Sequence, residues 1–300
     1  MIRDHSRRGE RPAFTLVELM VVLLIIAILV SLVSSAVLKT LAKIPEVQTR
    51  TEISELAVAL QAFMSDYNLA EPPPSLLILN EATPLAPDPR DNGRSAAFLT
   101  KVFGKNLGPT DWNGDGQLDG PWVLQGEHAL VFYLGGIPSA AGPQGFSTNN
   151  MNPALPGGKR KGPYFSFQTP RLLPDTTLGG FFVYLDPWQV KISANGVGPR
   201  PYVYFSSCGI NNGYNSTDCI GVTFTDTSGT HYALPYATGI GTYTNSNTYQ
   251  ILSAGRDGKF GYTPGSNPPT NIWSPAGGAT GTGADDQANF SSTLLGMGQN

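Results

Sequence analysis

The feature that most constrains this chain is an uninterrupted apolar run near its N-terminus. From Leu19 to Leu38, twenty consecutive residues include no Asp, Glu, Lys, Arg or His. A helix of that length crosses a hydrocarbon core of about 30 Å. Arginines precede the run, and the positive-inside rule then leaves residues 1–13 in the cytoplasm and sends the C-terminal part outward. The sequence therefore predicts a single-pass membrane segment.

A carboxylate, Glu18, lies at the edge of this run, in "RPAFTLVELMVV". Charge in a bilayer core costs roughly 2.5–3.5 kcal/mol, so such residues usually have a function and a partner. Two ordinary interpretations exist: a secretory signal cleaved near Ser34-Ser35-Ala36, or an uncleaved membrane anchor. Neither of them explains Glu18 or the abrupt junction at "AFTLVE".

The same stretch resembles the class III signal of type IV pilins and type II secretion pseudopilins, which has a short basic leader, a small residue, Phe-Thr-Leu-Val-Glu and an apolar helix. The resemblance implies that a prepilin peptidase cleaves between Ala13 and Phe14 and methylates the new Phe14 amine. Ala13 stands where the family usually has Gly. The resemblance also implies that Glu18 neutralises the Phe14 amine of a neighbouring copy during filament assembly.

The helical pattern continues past the apolar run. Spacings of three and four residues place Ile53, Leu56, Leu60, Phe63 and Tyr67 on one helix face, which we expect to lie against a sheet. The prolines in "EPPPS", residues 71–75, end that helix. The predicted organisation is a leader at 1–13, a transmembrane and filament-core helix at 14–38, an amphipathic helix half at 39–70, a Pro/Gly-rich insertion with a calcium-like loop at 71–178, an antiparallel sheet at 179–261, and a loop and tail at 262–300.

Strand patterns appear in the second half of the chain. "GGFFVYLDPW", "RPYVYFSS", "IGVTFTD" and "TYQILSAG" are aromatic and β-branched runs bounded by turn residues, and they predict one antiparallel sheet. "LDPW" and "PYVYFSS" resemble a strand pair of the major pseudopilin of type II secretion, Asp-Pro-Trp-Gly-Asn-Pro-Tyr. "YQILSAGRDGKFG" with "GADDQANF" resembles that family's last strand and acidic loop. The expected fold class is α+β and pilin-like, with a long N-terminal helix packed on a small antiparallel sheet and a large loop-rich insertion.

The insertion contains an acidic loop, "DWNGDGQLDG". Its oxygen-bearing side chains alternate, with Gly116 at the sixth position and Leu118 at the eighth, as in the first nine positions of an EF-hand-like calcium loop. The candidate ligands are Asp111, Asn113, Asp115, Gln117 and Asp119. Trp122 occupies the twelfth position, where a bidentate Glu is expected, so a further ligand must come from elsewhere, with Asp91, Glu127 and water as the candidates. The alternative is an Asx-rich turn without an ion.

A second calcium site follows from the resemblance to the major pseudopilin, in which calcium organises the C-terminal loop. Asp257 matches the acid after the last strand of that family, and Asp285 and Asp286 match its acidic loop. Separately, Cys208 and Cys219 bracket a Gly/Asn/Ser-rich loop. On the far side of a membrane such a pair predicts a disulfide.

Composition and motifs argue against several other functions. The net charge of −3 gives no basic surface for nucleic acid. Glu127 and His128 form the one conceivable acid–base pair, on an expected strand, where a structural role is the more common one. The sequence has no phosphate-binding glycine loop, zinc spacing or catalytic triad, so we do not expect an enzyme. Its 12 Tyr and 4 Trp leave an extracytoplasmic carbohydrate-binding protein, membrane-anchored or secreted, as an alternative.

The function expected from the resemblance is structural. It is that of a pseudopilin in the bacterial inner membrane, with its C-terminal domain in the periplasm, cleaved, N-methylated and polymerised into a filament that drives type II secretion. The implied partners are other copies of the chain, minor pseudopilins, prepilin peptidase and the inner-membrane assembly platform. A subunit of a type IV pilus or of a competence filament is the alternative within the same family.

Overall fold

The secondary structure is mixed helix and strand. The computed structural model describes residues 15–188, 200–214, 222–226, 229–239, 241–261 and 271–297. Three helices lie in these ranges: α1 (Leu16–Asp66), α2 (Arg94–Phe103) and α3 (Gly126–Gly135). The strands are β1 (Leu77–Leu79), β2 (Trp122–Leu124), β3 (Phe146–Ser147), β4 (Arg160–Lys161), β5 (Leu172–Asp175), β6 (Phe181–Tyr184), β7 (Val203–Ser206), β8 (Val222–Asp226), β9 (Gly229–Ala233), β10 (Tyr236–Gly239), β11 (Thr242–Tyr243), β12 (Tyr249–Ser253), β13 (Asn271–Ile272) and β14 (Gln287–Ala288).

The chain divides into two compact units, residues 1–45 and 46–300. In the described part of the first unit, the stretch Leu16–Ser34 has a mean hydropathy of 3.2, and none of it is buried by the rest of the chain. Its length and composition are those of a membrane-crossing helix. A helix that is apolar on all sides must bury that surface in lipid or against other helices.

In the second unit, one face of α1 forms the centre of the main hydrophobic core. Ile53, Leu56, Leu60 and Phe63 are almost completely buried there, as the helical spacing predicts. They share the core with α3, with Trp112 and with aromatic residues of β6 and β7. A smaller core lies between β7, β12 and the C-terminal segments.

The end of α1 is set by Asn68, four residues before Pro72, the first of the prolines predicted to end the helix. Asn68 has a left-handed backbone (φ 51°), and its N–H donates to the Ser65 carbonyl at 3.1 Å. The Leu69 N–H reaches back to the Met64 carbonyl at 2.8 Å. These two bonds satisfy the last carbonyls of the helix in a Schellman motif. The prolines of "EPPPS" therefore follow a helix that has already ended.

The four predicted strand runs are all strands, but the expectation of one sheet was wrong. β6 pairs with β5, β7 with β12, and β8 with β9, each antiparallel and each in a different sheet. β14 extends the β7–β12 pair, so that the order of this sheet is β14-β12-β7. β13 and β11 flank β10, with β13 running parallel to it. The architecture is α+β with small antiparallel sheets, as the sequence predicts.

The region predicted to be an insertion is part of the main core. α2 and α3 contribute Leu99, Phe103, Leu130 and Phe132 to it, and β1 pairs with β2 beside them. The run "HALVFYLGG" forms helix α3, where strand structure had been predicted for Glu127 and His128. A short apolar run without clear alternation does not distinguish a buried helix from a strand.

Candidate functional site

The start of α1 gives Glu18 a partner within its own chain. Its Oε2 accepts hydrogen bonds from the Thr15 N–H at 2.9 Å and from the Thr15 hydroxyl at 2.8 Å. The Glu18 N–H donates in return to Thr15 Oγ1 at 3.2 Å. This reciprocal pattern is a capping box, which satisfies free N–H groups in the first turn of a helix. The single chain therefore already provides hydrogen-bond donors to Glu18, and the contact of Glu18 with the Phe14 amine of a neighbouring copy stays a prediction. Ala13 and Phe14, the predicted processing residues, lie outside the described residues.

The second half of α1 is joined to the sheets by a buried ion pair. The Arg171 guanidinium makes a bidentate contact with the Glu52 carboxylate, with Nη1 at 2.9 Å from Oε2 and Nη2 closer to Oε1. The Tyr202 hydroxyl also donates to Glu52, at 2.9 Å. Arg171 in turn donates to the Leu185 carbonyl and lies 4.7 Å above the Tyr184 ring. The sequence analysis identified only the apolar face of this helix and missed the contact of Glu52.

The acidic loop of the insertion is held by its own side chains. Asp111 Oδ1 accepts from the Gly114 and Asp115 N–H groups, and Oδ2 accepts from the Gly116 N–H at 2.8 Å. Asp115 Oδ1 accepts from the Gln117 N–H at 2.8 Å. This network curls the loop around its carboxylates, as the Asx-turn alternative predicts. Leu118, at the apolar eighth position, is 55% exposed, whereas an EF-hand buries that residue.

Glu81 lies outside this loop but binds its backbone, and the sequence analysis missed it. Its side chain is fully buried and accepts from the Trp112 N–H at 2.8 Å and from the Asp119 N–H at 2.6 Å. It also accepts from the Asn113 N–H and from the Trp122 indole. Burial raises the pKa of Glu81. Because Glu81 lies about thirty residues before the loop, no local pattern in the sequence identifies it.

Of the two residues considered as additional calcium ligands, Asp91 has other hydrogen-bond partners and Glu127 is buried beside His128. Asp91 caps α2 by accepting from the Ser95 N–H at 2.7 Å and the Gly93 N–H at 2.9 Å. Glu127 lies at the start of α3, 3.6 Å from His128 Nδ1. Within the described residues, no group of three or more His, Cys, Asp and Glu side chains could hold a metal ion. Calcium at residues 111–119 stays a prediction.

The C-terminal acids do lie near one another. Asp285 Oδ2 accepts from the Asp257 N–H at 2.8 Å. Asp286 is buried, and its Oδ2 accepts from the Tyr236 hydroxyl at 2.6 Å and the Gly261 N–H at 3.0 Å. Its Oδ1 has no hydrogen-bond partner in the described part of the chain. The donor set is carboxylate oxygen, which suits calcium, and a buried oxygen without a partner is compatible with one.

The electrostatics of this cluster favour a cation or protons. Desolvation and the neighbouring Asp285 carboxylate raise the pKa of Asp257 to about 6. Burial raises the pKa of Asp286 well above its usual range. Three carboxylates in this position repel one another unless a positive charge is added.

Some of the remaining predicted site residues lie within the described part of the chain and others lie outside it. Cys208 follows β7 in a left-handed conformation (φ 50°), whereas Cys219 lies outside the described residues, so the disulfide stays a prediction. His128 Nε2 lies 3.2 Å from Asp175 Oδ2. Burial raises the pKa of Glu127 to about 7 and lowers that of His128. Both side chains are about nine-tenths buried, which leaves a substrate no access to the pair.

Comparison with known proteins identifies the N-terminal segment. A family model for the prokaryotic N-terminal methylation motif matches residues 11–34. Comparisons with curated proteins and with solved structures gave no match. The chain therefore carries a type IV prepilin-type signal, and its apolar N-terminal helix and small antiparallel sheets form a pilin-like α+β fold. The motif is that of a structural pilin-like subunit and not of an enzyme.

Proposed function

We propose that this chain is a pseudopilin that polymerises into the periplasmic filament of a type II secretion system. The observation that carries the proposal is the methylation motif at residues 11–34, which coincides with the capped start of an apolar helix. The resemblance of "LDPW", "PYVYFSS" and the acidic C-terminal loop to the major pseudopilin favours secretion over a pilus or competence filament. The filament assembles with minor pseudopilins on an inner-membrane platform, and prepilin peptidase processes the precursor.

Assembly is driven by an exchange of partners at Glu18. In the single chain its carboxylate accepts two hydrogen bonds from Thr15. Cleavage after Ala13 creates a cationic amine on Phe14, and in the filament that amine, from the next copy, lies against Glu18. In a region of low dielectric constant an opposite charge stabilises a carboxylate more strongly than neutral donors do.

Three variants separate the capping role of Glu18 from its charge. Glu18→Gln keeps a side chain that also serves in capping boxes but removes the charge, so we expect normal insertion and cleavage with poor filament formation. Thr15→Ala removes the cap, worth about 1 kcal/mol, but keeps the charge, so filaments should still form. Glu18→Ala should lose both properties. Filament yield is measured by shearing and electron microscopy, normalised to the processed subunit. Wild-type yield from Glu18→Gln would refute the ion-pair role.

Processing and pathway need separate measurements. Mass spectrometry of the mature N-terminus should find N-methyl-Phe14; Val37 would indicate a secreted protein, and Met1 a plain anchor. A deletion strain should then lose export of periplasmic intermediates while it keeps surface pili and DNA uptake. Loss of pili or of DNA uptake with normal export would instead favour the pilus or competence alternative.

We further propose calcium as a structural ion of the periplasmic domain. At the C-terminal cluster the candidate ligands are Asp257, Asp285 and Asp286. They do not form a ligand group in this structure, so they would have to draw together around the ion, whose charge would offset their mutual repulsion. At the insertion loop, the ligands would come from Asp111, Asn113, Asp115, Gln117 and Asp119. Glu81 would hold that loop in place by accepting four hydrogen bonds from residues 112–122.

A further inference from the structure

A wide groove opens on the region predicted to be an insertion, and the filament role does not account for it. Its volume is about 860 Å³, which is in the range of ligand-binding clefts. The walls are the tip of the acidic loop at residues 113–115, the turn at 138–143, the segment at 163–169 and the β5–β6 hairpin. All of these residues belong to the second unit and to the described part of the chain.

Aromatic rings line the floor of this groove and are fixed in position. Phe165 and Phe167 meet edge to face, with ring centroids 5.0 Å apart. Both rings also contact the buried ring of Tyr184, at 5.6 and 5.2 Å. Phe182 lines the groove from β6, opposite Pro174 of β5. Rings that are held by the core give the groove an apolar surface that needs little ordering when a ligand binds.

The groove has almost no charge. Among the described residues that line it, none is Lys, Arg or His, and Asp115 is the single acid. Asp115 is exposed and accepts from the Asn113 side-chain amide at 3.1 Å. The remaining polar side chains are hydroxyls, those of Ser139, Ser166 and Thr169 and that of Tyr164, which donates to Asp66. An anionic ligand such as a phosphate or an acidic peptide would find no positive partner here, so a neutral ligand is favoured.

The backbone of the groove rim favours one class of neutral polymer, polysaccharides, over another, extended peptides. Four prolines line the groove: Pro138, Pro143, Pro163 and Pro174. Proline has no N–H group, so this rim is poorly suited to add an extended peptide as an extra strand. A sugar chain needs no ladder of backbone bonds, because its C–H faces pack on aromatic rings and its hydroxyls bond to side-chain oxygens and amides.

We infer that this groove binds a neutral polysaccharide chain, with Phe165, Phe167 and Phe182 as the apolar contact surface and the hydroxyls of Ser139, Ser166 and Thr169 as hydrogen-bond partners. The inference is independent of the proposed secretion role. It gives the globular domain a binding site that a filament subunit would expose to its surroundings.

The test uses the full processed chain in lipid nanodiscs, because maltoside detergents themselves carry sugar. Binding is first screened on an array of neutral hexasaccharides from glucans, mannan, xylan, galactan and chitin. The oligosaccharide that binds best is then titrated by calorimetry. Phe182→Ala should weaken binding about tenfold by removing one ring. Ala140→Arg, at an exposed position on the groove wall, should weaken it at least tenfold by filling the groove. Ala276→Arg, at an exposed position outside the groove, is the matched control and should bind normally.

Several results would overturn the inference. One is the absence of binding to every neutral oligosaccharide on the array at millimolar concentration. Another is full binding by Ala140→Arg, a surface substitution that leaves the core intact. A third is preferential binding of a proline-rich decapeptide that the Ala140→Arg variant loses. None of these results changes the predicted methylation of Phe14, so this inference and the secretion proposal fail separately.

Discussion

The buried pair of Glu52 and Arg171 gives the sharpest stability prediction. Glu52 is 5% exposed and Arg171 is 9% exposed, so neither charge has much access to water. Removing one partner of a buried pair leaves the other uncompensated and typically costs about 3–5 kcal/mol. Glu52→Gln keeps the volume of the side chain and its contact with Tyr202, so we expect the lower end of this range, about 3 kcal/mol. For a unit of this size the midpoint of thermal unfolding should fall by about 6–12 °C.

The double variant Glu52→Leu/Arg171→Met tests whether the cost comes from charge. With both charges replaced by apolar groups, the loss should be clearly smaller than the sum of the losses from the two single substitutions, because neither ion has to be desolvated and only the Tyr202 hydroxyl and the Leu185 carbonyl lose a partner. The more exposed pair of Glu46 and Arg50, 3.8 Å apart at an earlier position on the same helix, is the control. Arg50→Ala should change stability by less than about 0.5 kcal/mol.

Thermal unfolding is followed by tryptophan fluorescence, since all four Trp residues lie in the second unit. The reasoning would be refuted if Glu52→Gln cost no more than Arg50→Ala. It would also be refuted if the double variant were as unstable as the sum of Glu52→Leu and Arg171→Met.

Three further predictions concern pH, the end of α1 and calcium. Burial raises the pKa of Asp186 to about 8. The protonated side chain therefore makes its full contribution to the free energy of unfolding below about pH 4, and this contribution is lost as the pH rises towards 8. Asp186→Asn, which still accepts from Ser253, should therefore melt above wild type at pH 8 but not at pH 4; equal differences at both pH values would contradict this. Asn68→Ala should cost about 1 kcal/mol in chemical denaturation because of its left-handed backbone, whereas Asn68→Gly should be nearly neutral; equal losses would exclude the backbone explanation. Calcium should raise the melting temperature of the full chain, Asp286→Asn should reduce that rise, and an unchanged melting temperature after chelation would remove the calcium proposal.

The sequence predicted the helix better than the sheets. Periodicity over α1 identified Ile53, Leu56, Leu60 and Phe63 as its buried face because helix contacts repeat locally. The strands of "RPYVYFSS" and "TYQILSAG" were also identified, but strand pairing depends on distant segments. Thus β12 takes β14 from the predicted tail as its second partner, and β6 takes β5 from the predicted insertion.

The residues of the candidate sites differ in the same way: local contacts could be predicted from the sequence and distant ones could not. The capping residues Thr15 and Glu18 lie three positions apart, so their motif is readable from the sequence. Glu81 and Arg171 have partners that lie far from them in sequence, and no spacing rule reaches that far. Their roles became visible only in the folded chain.

The contacts at the C-terminal end of α1 determine how the domain would respond to a pulling force on the helix. Lys161 donates to the Asp66 carbonyl at 2.8 Å and lies 4.2 Å above the Tyr67 ring, and the Tyr164 hydroxyl donates to Asp66 at 3.0 Å. A pulling force along α1 is therefore resisted at two points, at Glu52 by Arg171 and at the C-terminal end of the helix by residues 161–164. Residues 161–171, which the sequence analysis placed in the insertion, thus fasten the helix to the rest of the second unit, and shortening this segment would loosen both attachments.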